Sequence, residues 1–242
     1  MKFSSILPIA AFSVFLQLLT CLPVHAEQQT VNFEKQRTGT DQLEYLLALP
    51  EGYDKDPAKK WPLVIFLHGS GERGSDIKKV KIHGPPMLVE QGKKFPFILI
   101  SPQCPSGSNW SVQPLIEMIE DAEKRYQVDP KRIILTGLSM GGYGTWNLAT
   151  RHPKKFAALV PLCGGGTPYL TALIKDTPIW VFHGAKDGAV DIGESQRMVD
   201  ALKKNGSSKV KFTIYPEAGH NCWTETYNNE KLYTWMLEQK LP

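Results

Sequence analysis

Six apolar runs with turn residues on either side constrain this chain more than any other feature. They are Leu63-Val64-Ile65-Phe66-Leu67, Phe97-Ile98-Leu99-Ile100, Ile133-Ile134-Leu135, residues 157–162, Ile179-Trp180-Val181-Phe182 and Val210-Lys211-Phe212-Thr213-Ile214. Runs that do not alternate with polar residues read as strands buried on both faces, the situation of a parallel sheet with helices on either side. Helical periodicity falls between them, at residues 115–126, 140–150, 192–205 (closed by Gly206 as a C-cap) and 231–239. Ahead of the first run, residues 31–37 and 43–49 flank the turn Thr38-Gly39-Thr40-Asp41 and suggest an antiparallel hairpin. The expected fold is one doubly wound α/β domain, mostly parallel, with an antiparallel N-terminal hairpin.

Residues 1–26 stand apart from that pattern. Lys2 precedes an apolar stretch over residues 6–19, and Val24-His25-Ala26 has the small residue of a cleavage site, so residues 1–26 read as a secretory signal peptide. A lipoprotein reading through Leu18-Leu19-Thr20-Cys21 is the rival, and Thr before the cysteine fits it poorly. The domain then runs over 27–242, exported to the outside or the periplasm, with no membrane anchor after cleavage. Three cysteines remain, Cys104, Cys163 and Cys222, which allow at most one internal disulfide. Cys104 and Cys222 both follow strands, at the end of the sheet where such loops gather, and are the pair to expect if one forms. Cys163 ends a strand and reads as a buried free thiol.

With 42% hydrophobic and 21% charged residues the chain is ordinary for a globular protein, which excludes disordered, collagenous and coiled-coil classes. The net charge of +4 comes from 28 basic and 24 acidic side chains scattered along the sequence, so nucleic acid is not an expected partner.

Gly137-Leu138-Ser139-Met140-Gly141 has the form G-x-S-x-G and sits between a strand and a helical stretch. A sharp strand-to-helix turn there would lift the Ser139 hydroxyl off the sheet edge, with glycines where side chains would collide. The plainer reading is a Gly-rich turn with a capping serine. A nucleophilic serine needs a base, and the base an acid to orient it. Asp187 in His183-Gly184-Ala185-Lys186-Asp187 directly follows a strand; Asp176 precedes that strand, and Asp191 reads as a helix N-cap. His220 in Ala218-Gly219-His220-Asn221 follows the last strand and is the one histidine beyond Asp187. His68, His83, His152 and His183 read as strand-end or surface residues. No metal-ligand spacing occurs, and no cofactor is called for. An oxyanion hole would use the Met140 amide and, from Leu67-His68-Gly69-Ser70-Gly71, the Ser70 amide with Gly71 as alternate.

Leu67-His68-Gly69-Ser70-Gly71-Glu72-Arg73-Gly74, Gly137-Leu138-Ser139-Met140-Gly141-Gly142, His183-Gly184-Ala185-Lys186-Asp187 and Gly219-His220-Asn221-Cys222-Trp223 resemble the α/β-hydrolase superfamily. Within it they resemble small secreted carboxylesterases of the dienelactone-hydrolase-like and feruloyl-esterase-like group. The resemblance spans most of residues 40–240 and implies Ser139 as nucleophile, Asp187 as acid and His220 as base. Only residues 164–177 separate two strands where relatives carry a cap, so no cap is expected and the site should be an open cleft. Trp110 and Trp223, loop aromatics, are candidate platforms for a sugar or phenolic ring. The expected partner is a small-molecule or polymer-linked ester; oligomeric state is open. A secreted serine peptidase with the same triad, or a catalytically silent binding protein on the same fold, are the alternatives.

Overall fold

The structure, a computed structural model, describes residues 28–33 and 43–242; the signal-peptide reading and the turn 38–41 lie outside them. Among the described residues, eight strands form one sheet: β1 (Gln29–Phe33), β2 (Leu43–Ala48), β3 (Trp61–Leu67), β4 (Ile98–Pro102), β5 (Val128–Leu138), β6 (Ala158–Leu162), β7 (Ile179–Gly184) and β8 (Val210–Tyr215). Their order is β1-β2-β4-β3-β5-β6-β7-β8. β1 and β2 pair antiparallel, β2 pairs antiparallel with β4, and every later pairing is parallel.

Every residue of β3 is buried, and the strand period of two divides them between two cores. Leu63, Ile65 and Leu67 join one cluster with Leu115, Ile119, Trp146 and Met198. Val64 and Phe66 join the other with Leu88, Tyr227, Tyr233 and Trp235. Helices α2 (Val112–Arg125), α3 (Met140–Arg151) and α4 (Gly193–Lys204) therefore cover one face, and α1 (Gly84–Glu90), α5 (Trp223–Asn228) and α6 (Glu230–Glu238) the other. This two-sided cover is why the central strands lack polar alternation. β8 departs from that expectation: as the edge strand it leaves Lys211 and Ile214 exposed, and its alternation Val210-Lys211-Phe212 is that of a half-buried strand.

α1 and α5 were not legible as helices. Both are short, and α1 opens on Pro85-Pro86, which a helix accepts in its first turn but which reads locally as a loop. The stretch between β6 and β7 holds only a short 3-10 helix, Pro168–Ile174, so the site has no cap. The chain leaves β3 toward β4 and leaves β5 toward β6, in opposite directions along the sheet. The carboxyl ends of β3 and β5 thus flank a topological switch point, where such sheets form their crevice.

Candidate active site

Ser139 stands between the end of β5 and the start of α3 with φ 53 and ψ −117. A non-glycine residue held there costs about 1–3 kcal/mol, a strain typical of reactive positions. The two glycines of the motif are required by backbone contact. A Cβ at Gly141 would lie 1.9 Å from the Leu67 carbonyl oxygen, and one at Gly137 would lie 2.4 Å from the Gly141 carbonyl oxygen. The turn is packed directly against the end of β3, which brings the loop after β3 beside the serine.

His220 Nε2 lies 2.9 Å from Ser139 Oγ, and His220 Nδ1 lies 2.7 Å from Asp187 Oδ2. The Asp187 carboxylate is fully buried, and its Oδ1 accepts from the Ala189 and Val190 amides, each at 2.9 Å. Burial pushes its pKa up, but the Val190 amide, the His220 ring and the Ala189 amide outweigh that and hold it below the usual carboxylate value. An ionised Asp187 keeps the hydrogen on His220 Nδ1 and leaves Nε2 free to accept the serine proton. Asp176 and Asp191 take no part: Asp176 is exposed beside Lys175, and Asp191 caps its own turn at the Gly193 amide.

His183 is a support that sequence reasoning passed over. Its ring is buried, with Nε2 3.0 Å from the Val190 carbonyl and 3.1 Å from Asp187 Oδ2, both acceptors, so Nε2 carries a hydrogen. Nδ1 meets Ser195 Oγ at 2.8 Å. The clue was positional, since His183 lies next to the end of a buried strand, four residues before Asp187.

His68, also read as unremarkable, is buried at the start of the loop after β3. The Cys104 amide donates to its Nε2 at 2.9 Å, so Nδ1 carries the hydrogen and donates to the Gly69 carbonyl at 2.6 Å. The Trp110 indole donates to the His68 carbonyl at 3.0 Å. Ser70 opens a 3-10 turn and Met140 opens α3, so each amide lies in a first turn whose donors have no partner inside the helix. Both residues line the same cleft as Ser139. Arg73 ties this loop to its neighbour, its Nε donating to the Ser70 carbonyl and its Nη1 to the Ser108 carbonyl.

Burial pushes the His68 pKa down to about 4. Its neutral form is the folded one, so stability is full above the unfolded value near 6.5 and is lost as pH falls toward 4. Denaturant unfolding should lose about 2–3 kcal/mol between pH 7 and pH 4.5 from this group. His68→Asn, which keeps a donor for Gly69, should flatten that slope by the same amount; an unchanged slope would contradict the assignment.

The cleft has a volume of about 640 Å³ and is lined by Ser70, Arg73, Asn109, Trp110, Tyr143 and Asn147 around Ser139. Trp110 forms part of this wall, whereas Trp223 lies outside it. The Trp223 ring stands nearly perpendicular to His220 at 5.1 Å between centroids and 5.5 Å from His83, so it packs on the His220 imidazole. The expected Cys104–Cys222 proximity does not occur. Cys222 folds back over β6, with its sulfur 2.8 Å from that of Cys163, while Cys104 packs in the core on the opposite face of the sheet. Sharing the carboxyl end of a sheet does not bring two loops together when they turn to opposite faces. Among the described residues, Cys163, His183 and Asp187 offer one metal-ligand atom each within 4.8 Å. Those atoms already have partners: Cys163 Sγ donates to the His220 carbonyl, His183 Nε2 meets the Val190 carbonyl, and Asp187 Oδ2 meets His220 Nδ1.

A bifunctional acetylxylan esterase/xylanase of Neocallimastix patriciarum is 25% identical over 181 residues, 72% of this chain and 26% of that protein. The chain thus spans about a quarter of that relative. A thermostable esterase of known structure superposes with a TM-score of 0.76 at 34% identity, over 90% of this chain and 64% of that one. A ferulic acid esterase shares the fold, with a TM-score of 0.62 at 19% identity over 87% of this chain and 99% of that one. The dienelactone hydrolase family model matches residues 108–232, which include Ser139, Asp187 and His220. The chain belongs to the dienelactone hydrolase family and has the α/β-hydrolase fold.

Proposed function

We propose that this chain is a serine carboxylesterase that hydrolyses short-chain or aryl- and carbohydrate-linked esters through an acyl-enzyme on Ser139, and that it acts outside the cytoplasm after loss of residues 1–26. The observation that carries the reading is the relay of Ser139, His220 and Asp187, with contacts of 2.9 and 2.7 Å, opening on an uncapped cleft. Ser139 Oγ attacks the ester carbonyl as His220 Nε2 takes its proton. The amides of Met140 and Ser70 donate to the oxyanion, and the His220 imidazolium returns the proton to the leaving alcohol. A water activated by the same histidine then frees the acid. The cleft wall of Asn109, Asn147, Tyr143 and Trp110 offers polar groups and aromatic side chains, the combination a sugar or phenolic ring uses. A relative named as an acetylxylan esterase supports the same class.

The direct test is hydrolysis of p-nitrophenyl acetate with and without a serine-directed phosphonate, followed by feruloyl esters and acetylated xylan. Turnover that the phosphonate leaves untouched would refute the acyl-enzyme. Because no cap encloses a tunnel for a long chain, C2 to C4 p-nitrophenyl esters should be cleaved at least tenfold faster than C12 esters. An optimum at long chains would contradict the open cleft.

A further inference from the structure

We propose that Cys163 and Cys222 are a thiol–disulfide site, and that their cross-link clasps the loop carrying His220 to the end of β6. The inference rests on the functional reading only for the role of His220; its primary test uses no activity.

Three observations carry it. The two sulfurs are neighbours at 2.8 Å, both residues fully buried, although the residues lie 59 positions apart in the sequence. The site adjoins the base directly: the Cys163 thiol donates to the His220 carbonyl at 3.3 Å, and the Cys222 amide donates to the same oxygen at 2.9 Å. The third observation is the backbone of Cys163, whose φ of 47 it shares, among described non-glycine residues, only with Ser139 in taking a positive sign. Glycine is the residue for that conformation, and glycines occupy the next three positions, 164–166. A cysteine held there at a backbone cost supplies what glycine cannot, a sulfur facing Cys222.

The chemistry needs a small-molecule or protein disulfide as oxidant. The thiolate of one cysteine attacks it, forming a mixed disulfide and releasing one thiol. The second cysteine then displaces the second thiol, so that two electrons and two protons pass from the pair to the oxidant's S–S bond. Contact with Cys163 and burial hold the Cys222 thiol protonated in the folded chain, and the thiolate is the reactive form. The bond therefore forms as the chain folds, before the core closes over it, and is resistant to reduction afterwards.

Cys104, buried in the other core with its thiol pushed up to about 11 by burial, is the internal control. The purified protein is unfolded with dithiothreitol and refolded either in a glutathione redox buffer or in dithiothreitol, then denatured, alkylated and digested with trypsin without reduction. After oxidative refolding, residues 156–175 should appear linked to residues 212–231, with the peptide 95–124 carrying alkylated Cys104. Alkylated Cys163 and Cys222, a link through Cys104, or refolding that succeeds only in dithiothreitol would each overturn the proposal.

A second readout separates a clasp from an incidental bond. Closing a loop of this length should raise the thermal midpoint on the order of 10 °C relative to the reduced protein, and the half-life of esterase activity should follow it. Cys163→Gly accepts the positive φ and removes the cross-link, so its midpoint should not respond to dithiothreitol. A response that persists in Cys163→Gly would place the redox effect elsewhere and refute the clasp.

Discussion

Ser139→Ala should lower kcat on p-nitrophenyl acetate by about five to six orders of magnitude, because members of a triad act as a unit and losing one forfeits nearly all that the three achieve. The fold should survive. Alanine keeps the Cβ, the strained backbone is already set by packing of the turn against Leu67, and the hydroxyl contributes one contact, to His220 Nε2. The thermal midpoint should therefore stay within a few degrees of the parent, relief of one polar contact being the only change. Residual turnover of about 10³–10⁴ over water is expected from the amides of Ser70 and Met140 and from binding. Steady-state kinetics beside a melting curve decides the matter. Near-normal turnover in a folded Ser139→Ala protein would remove the basis of the proposed mechanism.

The sheet and the approach of Ser139, His220 and Asp187 to one another were legible in the sequence for the same reason: each depends on residue types that the local packing requires. The runs of β3 to β7 are dominated by apolar residues because both faces are covered, and Gly137 and Gly141 admit no side chain because the Leu67 and Gly141 carbonyls occupy its space. Asp187 and His220 could be expected near Ser139 because each follows a strand whose carboxyl end is on that side of the sheet. Supports were harder to read. His68 and His183 act through partners distant in sequence or through backbone carbonyls, and a lone histidine after a strand carries no mark of that. Trp223 lies three residues after the base, and nothing local tells whether its ring turns to the cleft or to the imidazole. The cysteine pairing failed on the same point, since strand order places loops along the sheet but does not say to which face each turns.

Asp187→Asn should cost about four orders of magnitude in kcat, whereas Asp191→Asn should cost less than threefold. The difference follows from the donors around each carboxylate. Asp187 receives the Ala189 and Val190 amides on Oδ1, and His220 Nδ1 with His183 Nε2 on Oδ2. Asparagine has one carbonyl oxygen to offer these two pairs of donors. With that oxygen toward the loop amides, its NH₂ meets His220, whose Nδ1 must then accept and whose hydrogen moves to Nε2. That tautomer cannot take the proton of Ser139. With the oxygen toward His220, the NH₂ faces two backbone amides inside a buried turn, an unpaired polar contact costing about 1–3 kcal/mol, so the first orientation prevails and the base is disabled while the fold remains. Asp191 has only the exposed turn contact to the Gly193 amide, which asparagine reproduces. Comparing the two variants in one assay, with circular dichroism to show that both are folded, tests the assignment of the acid. A severe loss in Asp191→Asn together with an active Asp187→Asn would reverse it.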